Sequence, residues 1–146
     1  MRRALPIAIA TLACAAAALP AGGAPSPYAG TYITTRPGAE STQELLLVLA
    51  PNGGATVTTR FPDLVKRFGP SVLPVRETGT WRPRGGEVEV RLTAGGLLRP
   101  DGRIVPKREK KRIVFRLTHC RLSAVEYPVV LYGEAGLTFD KSGCTG

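Results

Sequence analysis

Short runs in which apolar and polar residues alternate follow one another from Gly30 to the end of the chain. Alternation with a period of two is typical of β-strands that have one buried face, and the period of an amphipathic helix is nearly absent. Clusters of Gly, Pro and Asn between the runs favour turns. The pattern predicts seven or eight strands, placed at 31–35, 43–49, 55–61, 78–82, 87–93, 112–118, 121–126 and 137–140.

Two of these runs alternate cleanly enough for their inner faces to be named. Neighbouring side chains of a strand point to opposite faces, so every second residue shares one environment. The predicted inward residues are Val88, Val90 and Leu92 in one run and Ile113, Phe115 and Leu117 in the other. The predicted outward residues are Glu87, Glu89, Arg91, Thr93, Arg112, Val114 and Arg116. A third run is apolar from Leu45 to Leu49, which favours burial on both faces.

The connections are less uniform than the strands. Residues 62–74 have a proline at the start and Gly69-Pro70 as a stop, which fits one or two helical turns, but a lid or a crossing loop fits as well. The long connection 94–111 contains Asp101-Gly102, a pair typical of a tight turn, so we expect a small hairpin there.

Strands at roughly ten-residue spacing favour a sandwich or a barrel. We predict an all-β fold, a small antiparallel meandering β-barrel, because consecutive strands joined by short turns pair with their neighbours and closure removes exposed sheet edges. Residues 25–146 are 122 in number, enough for one domain with one core.

The first residues have the layout of a secretory signal peptide. Met1-Arg2-Arg3 precedes an apolar stretch that runs to Leu19, and Gly22 and Ala24 satisfy the small-x-small rule for cleavage. We therefore predict a signal peptide over residues 1–24, cleavage near Ala24 and a periplasmic or secreted protein. Prolines and glycines end the apolar stretch before the roughly 20 residues of a membrane span, so the mature chain is expected to have none.

Cys14 offers an alternative within the same segment, since bacterial lipoproteins carry an acylated cysteine at the mature amino terminus. The preceding residues, Thr11-Leu12-Ala13, match the lipobox poorly. We expect Cys14 to be removed with the signal peptide, and a lipid anchor at Cys14 is the alternative.

Two cysteines follow the predicted cleavage position, Cys120 and Cys144. In an oxidising compartment such a pair favours a disulfide. His119 stands beside Cys120, but neighbours along a strand point to opposite faces, so no metal site is expected.

Hydrolase, metalloprotease and phosphate-loop motifs are missing from the sequence. We expect no catalytic residues, no cofactor and no enzymatic activity.

The distribution of charge indicates a candidate binding site. Without the two arginines of the predicted signal peptide, 18 basic residues stand against 11 acidic ones, a net charge of +7. Charged runs are most often solvated hairpin tips, but clustered cations also concentrate anionic polymers or lipid headgroups. Nucleic acid is not expected outside the cell, and the aromatic residues form no stacking platform. The candidate binding residues are Lys107, Arg108, Lys110, Lys111 and Arg112.

The pattern resembles a family of small bacterial envelope barrels, the lipocalin-like amino-terminal domains of NlpE-type lipoproteins. The resemblance covers residues 28–118 and is carried by Tyr28-Ala29-Gly30-Thr31-Tyr32, by Leu45-Leu46-Leu47-Val48-Leu49 with Pro51-Asn52-Gly53-Gly54, and by Gly79-Thr80-Trp81 before Val88-Glu89-Val90. It implies a barrel in the envelope. Residues 36–42 lack the Cys-x-x-Cys pair of that family, so copper binding and thiol signalling are not implied.

Two functional hypotheses follow. The first is an exported, non-enzymatic envelope protein that binds a partner protein or an anionic envelope surface. The second is a lipocalin-like carrier of a small apolar ligand, with Trp81, Phe115 and Tyr132 as candidate lining residues. A barrel of about eight strands is either filled by its own side chains or holds one small ligand, and an enclosed apolar cavity of at least about 300 Å³ would favour the carrier.

Overall fold

The computed structural model describes residues 26–38, 40–107 and 110–145. The predicted signal peptide, its cleavage near Ala24, Cys14 and Arg108 lie outside the described residues. The elements are β1 (Gly30–Pro37), β2 (Thr42–Leu49), β3 (Gly54–Arg60), α1 (Pro62–Phe68), a 3-10 turn (Gly69–Ser71), β4 (Val75–Arg84), β5 (Glu87–Leu98), β6 (Ile104–Pro106), β7 (Lys111–Thr118), β8 (Arg121–Glu126), α2 (Val129–Tyr132) and β9 (Thr138–Lys141).

Eight of these strands close into an antiparallel barrel. The ring runs β1, β2, β3, β4, β5, β7, β8 and β9, and it closes where β9 pairs with β1. The short β6 lies outside the ring and pairs only with the end of β5. The predicted all-β meandering barrel is therefore confirmed. None of the described helices is long and apolar enough to cross a lipid bilayer.

Inward-pointing side chains fill the middle of the barrel. Phe115 and Phe139 meet edge to face with their ring centroids 5.8 Å apart, and such pairing adds to the energy of burial. The expectation that β2 is buried on both faces is wrong. Leu45, Leu47 and Leu49 are buried, but the residues between them are partly exposed because they point out of the ring. The fully buried core residues include Tyr32, Leu47, Leu49, Val88, Val90, Leu92, Phe115, Leu122 and Phe139.

The two ends of the barrel differ. One end, which we call the turn end, has the short connections β2–β3, β4–β5 and β7–β8. The opposite loop end has the longer connections β3–β4, β5–β7 and β8–β9. In the first of these, α1 and the 3-10 turn account for residues 62–71, in agreement with the helical alternative. In the second, β5 and β6 form the hairpin expected around Asp101-Gly102, with Leu98 opposite Ile104.

A glycine allows β4 and β5 to approach closely. The pairing of these strands shifts register between Thr78 and Gly79. A Cβ atom at Gly79 would overlap the backbone carbonyl of Arg91 on β5. The absence of a side chain therefore permits a bulge that bends and twists the sheet, as closure of a small barrel requires.

The turn end is closed by a tryptophan and a disulfide. The indole N–H of Trp81 donates to the carbonyl oxygen of Ala50 at 2.8 Å, and its ring meets Tyr28 edge to face. Cys120, in the β7–β8 turn, is bonded to Cys144, and their Cα atoms are 5.8 Å apart. The predicted pair thus joins the carboxy-terminal tail to the barrel.

Candidate functional site: an arginine cluster on the barrel wall

The candidate binding residues at positions 107–112 that the structure describes lie in different environments. Lys107 and Lys110 are exposed in the connection between β6 and β7, and Arg108 lies outside the described residues. Lys111 points into the barrel, and Arg112 points out of it toward acidic side chains. Lys111, one of the candidate binding residues for an anionic surface, is therefore not exposed on such a surface.

Lys111 lies on the inner face because it continues the alternation of Ile113 and Phe115 along β7. Its Nζ is 2.9 Å from Oε2 and 3.1 Å from Oε1 of Glu77 on β4. The side chains of the two residues are only 11% and 9% exposed. The ammonium also lies 5.5 Å from the ring centroid of Tyr132. Lys111 thus belongs to a polar cluster inside the loop end of the barrel.

Arg112 leads to a site that the sequence analysis did not identify. Its Nε donates at 2.8 Å to Oε2 of Glu89, a side chain on the outer face of β5 that is only 1% exposed. Glu89 is covered by guanidinium groups. Arg82 and Arg91 reach its Oε1 at 3.1 and 2.8 Å, and Arg84 lies 3.5 Å from its Oε2. We call Arg82, Arg84, Arg91 and Arg112, with Glu89 at their centre, the arginine cluster.

Strand register brings these residues together. Arg82 pairs with Glu89 across β4 and β5, which places opposite charges face to face. Arg91 pairs with Arg112 across β5 and β7. Like charges in directly opposed positions destabilise a sheet. Glu89 compensates because its carboxylate accepts a hydrogen bond from each of these two arginines.

The same contacts fix the charge of the cluster. Hydrogen bonds from Arg112 and Arg91, together with their positive charges, lower the pKa of Glu89 to about 2 although burial opposes this. Glu126 also accepts a hydrogen bond from Arg112, and Glu126 and Glu89 together raise the pKa of that arginine. Four arginines against these two carboxylates leave a net charge of +2 at neutral pH.

The guanidinium groups remain accessible. The four arginine side chains are 39% to 65% exposed. A shallow depression of about 220 Å³ lies against Thr80, Arg82 and Arg91. Guanidinium groups present planar forks of N–H donors that match carboxylate and phosphate oxygens. Since the strands and Glu89 hold them in place, they can receive an anion with little loss of side-chain freedom.

No protein-family model, curated protein or solved structure shows a significant match to this chain.

The three candidate lining residues of a carrier do not share one cavity. Phe115 is packed against Phe139 in the core, and Trp81 lies at the turn end. Tyr132 lies at the loop end and borders an opening of about 150 Å³. Burial raises the pKa of the Tyr132 phenol. This loop-end cavity is lined by Gln43, Leu45, Thr59, Phe61, Val75, Glu77, Gly95, Gly96, Lys107, Lys111, Leu131 and Tyr132.

The geometry around His119 differs from the expectation. His119 lies in the β7–β8 turn with a φ of 55°, so the alternation of a strand does not apply to it. One of its ring nitrogens and the sulfurs of Cys120 and Cys144 all lie within 4.8 Å of one another. The two sulfurs are bonded to each other, so in this state they are not the thiolates that bind a metal ion.

The sequence did contain a signal for the arginine cluster. Gly85-Gly86 stands between the predicted strands 78–82 and 87–93, and a two-residue turn there places Arg82 opposite Glu89. The contribution of Arg112 could not be found in this way, since it depends on how β7 is aligned with β5 across a long connection.

Proposed function

We propose that this chain is an exported, non-enzymatic envelope protein that binds an anionic polymer through the arginine cluster. The observation that carries the proposal is the convergence of four exposed guanidinium groups on one buried carboxylate. The expected net charge of +7 supports it, because a basic protein attracts polyanions over distances comparable to the screening length.

The spacing of the arginines favours a polymer over a single small anion. Neighbouring strands lie about 4.8 Å apart, so the arginines on β4, β5 and β7 span about 10 Å across the barrel wall. Consecutive acidic groups of a phosphorylated, sulfated or uronic polymer can engage several of these forks at once. Each single contact is weak at an exposed surface, and affinity comes from their number.

The carrier hypothesis has less support. Side chains fill the middle of the barrel, and the loop-end cavity of about 150 Å³ is half of the roughly 300 Å³ at which drug-sized ligands are bound. This cavity also contains the ion pair of Glu77 and Lys111, which does not suit an apolar ligand. Binding through the outer wall is therefore the better candidate.

The test is binding to immobilised dextran sulfate across a salt titration. The double variant Arg82→Gln/Arg84→Gln removes two forks and leaves Glu89 paired with Arg91 and Arg112. We expect at least a tenfold loss of affinity at low salt, or about 1.4 kcal/mol. The variant Lys66→Gln/Arg67→Gln, on α1, loses the same charge from exposed side chains elsewhere and serves as the control. An equal loss of affinity in both variants would show that binding depends on net charge and not on the arginine cluster, and it would contradict the proposal.

Export is tested separately. Mass spectrometry of the protein recovered from the native host should find a chain that begins within about three residues after Ala24 and carries no acyl group. A mature chain that begins with acylated Cys14 would establish the lipid-anchored alternative instead.

A further inference from the structure

Exposed apolar side chains gather at one end of this barrel. Ten large apolar residues are exposed among the described residues, and eight of them belong to the loop end. Two are on α1, three on the β5–β6 hairpin and three on α2. Phe68 on α1 is 62% exposed and Val130 on α2 is 99% exposed. Scattered exposed apolar residues are ordinary, but a concentration at one end is typical of an interaction surface.

The three segments meet around one opening. Phe61 directly precedes α1, Lys107 directly follows β6, and Leu131 is part of α2, and all three border the loop-end cavity. The three segments therefore lie together at one end of the barrel, and the exposed residues that they carry share that end. We call these segments, α1, the β5–β6 hairpin and α2, the apolar rim.

The apolar rim contributes little to the barrel's own core. None of the residues of α1 is buried, and Tyr132 is the only buried residue of α2. Since α2 has four residues, it presents Val129, Val130 and Leu131 to solvent in consecutive positions. Packing within the barrel does not explain this arrangement.

Basic residues accompany the apolar ones. The described residues of the loop-end connections, together with the short β1–β2 connection at the same end, include six cationic and four acidic side chains. Two of the acidic groups have local partners: Asp63 accepts a hydrogen bond from the backbone N–H of Thr42, and Asp101 accepts one from that of Arg103. The cationic residues are Lys66, Arg67, Arg99, Arg103, Lys107 and Lys110. Exposed apolar side chains mixed with Lys and Arg are typical of proteins that lie on anionic membranes.

We propose that the apolar rim docks the barrel on the surface of an anionic lipid bilayer. The side chains of Phe68 and Val130 enter the boundary between headgroups and acyl chains, and the surrounding Lys and Arg residues contact the lipid phosphates. A bilayer suits this surface better than a folded partner because the apolar residues stand on three separate segments around an opening. The inference is independent of the arginine cluster, which lies on the barrel wall.

The experiment is co-sedimentation of the purified protein with vesicles of phosphatidylcholine, with or without 25 mol% phosphatidylglycerol. We expect binding to the mixed vesicles that decreases with added salt, and much weaker binding to phosphatidylcholine alone. Burial of one side chain of this size corresponds to about a tenfold change in partitioning. Val130→Asp and Phe68→Ser should therefore each reduce binding about tenfold.

Ile33→Ser is the matched control, because Ile33 is 50% exposed on the barrel wall, within β1. It should bind vesicles within twofold of the parent. Val130→Asp changes a fully exposed residue, so its thermal unfolding should match that of the parent. Failure of the parent to sediment with the mixed vesicles would overturn the proposal, and so would equal binding by Val130→Asp and the parent.

The two proposals fail separately. Arg82→Gln/Arg84→Gln should leave vesicle binding within threefold of the parent, and Val130→Asp should leave dextran sulfate binding unchanged. If Val130→Asp bound vesicles normally but Arg82→Gln/Arg84→Gln did not, membrane docking by the apolar rim would be wrong and the arginine cluster would account for the lipid binding.

Discussion

Glu77 and Lys111 form an ion pair inside the barrel, from two strands that do not touch each other in the ring. β5 lies between β4 and β7, and Gly95 of β5 stands opposite Glu77. A Cβ atom at Gly95 would lie 2.9 Å from Cγ of Glu77. The missing side chain therefore gives the carboxylate the room to reach Lys111 across the intervening strand.

Removal of one partner of this pair should destabilise the protein. In Lys111→Met the carboxylate of Glu77 keeps its buried position without its cation, and breaking a buried pair costs about 3 kcal/mol. Because a pair of apolar residues can replace a buried ion pair at little cost, Glu77→Leu/Lys111→Met should recover most of the loss. Urea unfolding of the two variants and the parent measures both effects. A double variant as unstable as Lys111→Met would show that the pair itself is not the cause.

The acid stability of the protein should depend on Glu89. Its pKa is about 2 in the folded protein against an ordinary value of 4.5, so folding favours the charged form. The stabilisation is complete above pH 4.5 and is lost as the pH falls toward 2. Glu89→Gln should therefore be less stable than the parent at pH 7, and the difference should shrink between pH 4.5 and 2. Urea unfolding at pH 7, 4 and 2 tests this, with Glu44→Gln, an exposed carboxylate on β2, as the control.

The local pattern of apolar and polar residues predicted the fold, but it did not predict the arginine cluster or the ion pair of Glu77 and Lys111. Alternation identified the strands and the inner faces of β5 and β7, because the pleat imposes a period of two on any half-buried strand. The same alternation, extended by one step from Ile113, places Lys111 inside. The predicted hairpin tip was assigned from charge alone, and charge does not determine which face of a strand a side chain occupies.

Contacts between strands that are distant in sequence could not be predicted in this way. The arginine cluster needs Arg112 of β7 beside Glu89 of β5, and the apolar rim needs three connections to meet at one end. Both depend on closure of the ring and on register across long connections. A single sequence contains no direct signal for either.

Closure should depend on Gly79. Any side chain at this position would overlap the carbonyl of Arg91, and a backbone atom cannot move aside without breaking the pairing of β4 with β5. Gly79→Ala should cost more than about 3 kcal/mol, at the upper end of what single substitutions cost. Gly54→Ala is the control, since its added carbon would meet mainly the side chain of Asn52. Thermal unfolding of the two variants measures the difference. If Gly79→Ala were as stable as Gly54→Ala, closure of the barrel would not depend on the missing side chain at Gly79.

The disulfide should stabilise the folded protein, and its loss should not change binding. Cys120 and Cys144 close a loop with a sequence separation of 24. The chain-entropy account assigns about 3 kcal/mol to a loop of this size, because the cross-link restricts the unfolded chain. Cys120→Ser/Cys144→Ser should unfold at lower urea and become insensitive to dithiothreitol, whereas the parent should shift to the same midpoint when reduced. Binding to vesicles and to dextran sulfate should stay unchanged below the unfolding transition, since Cys120 and Cys144 lie at the end of the barrel opposite the apolar rim. A parent protein whose midpoint does not move under reduction would show that the bond contributes nothing to stability.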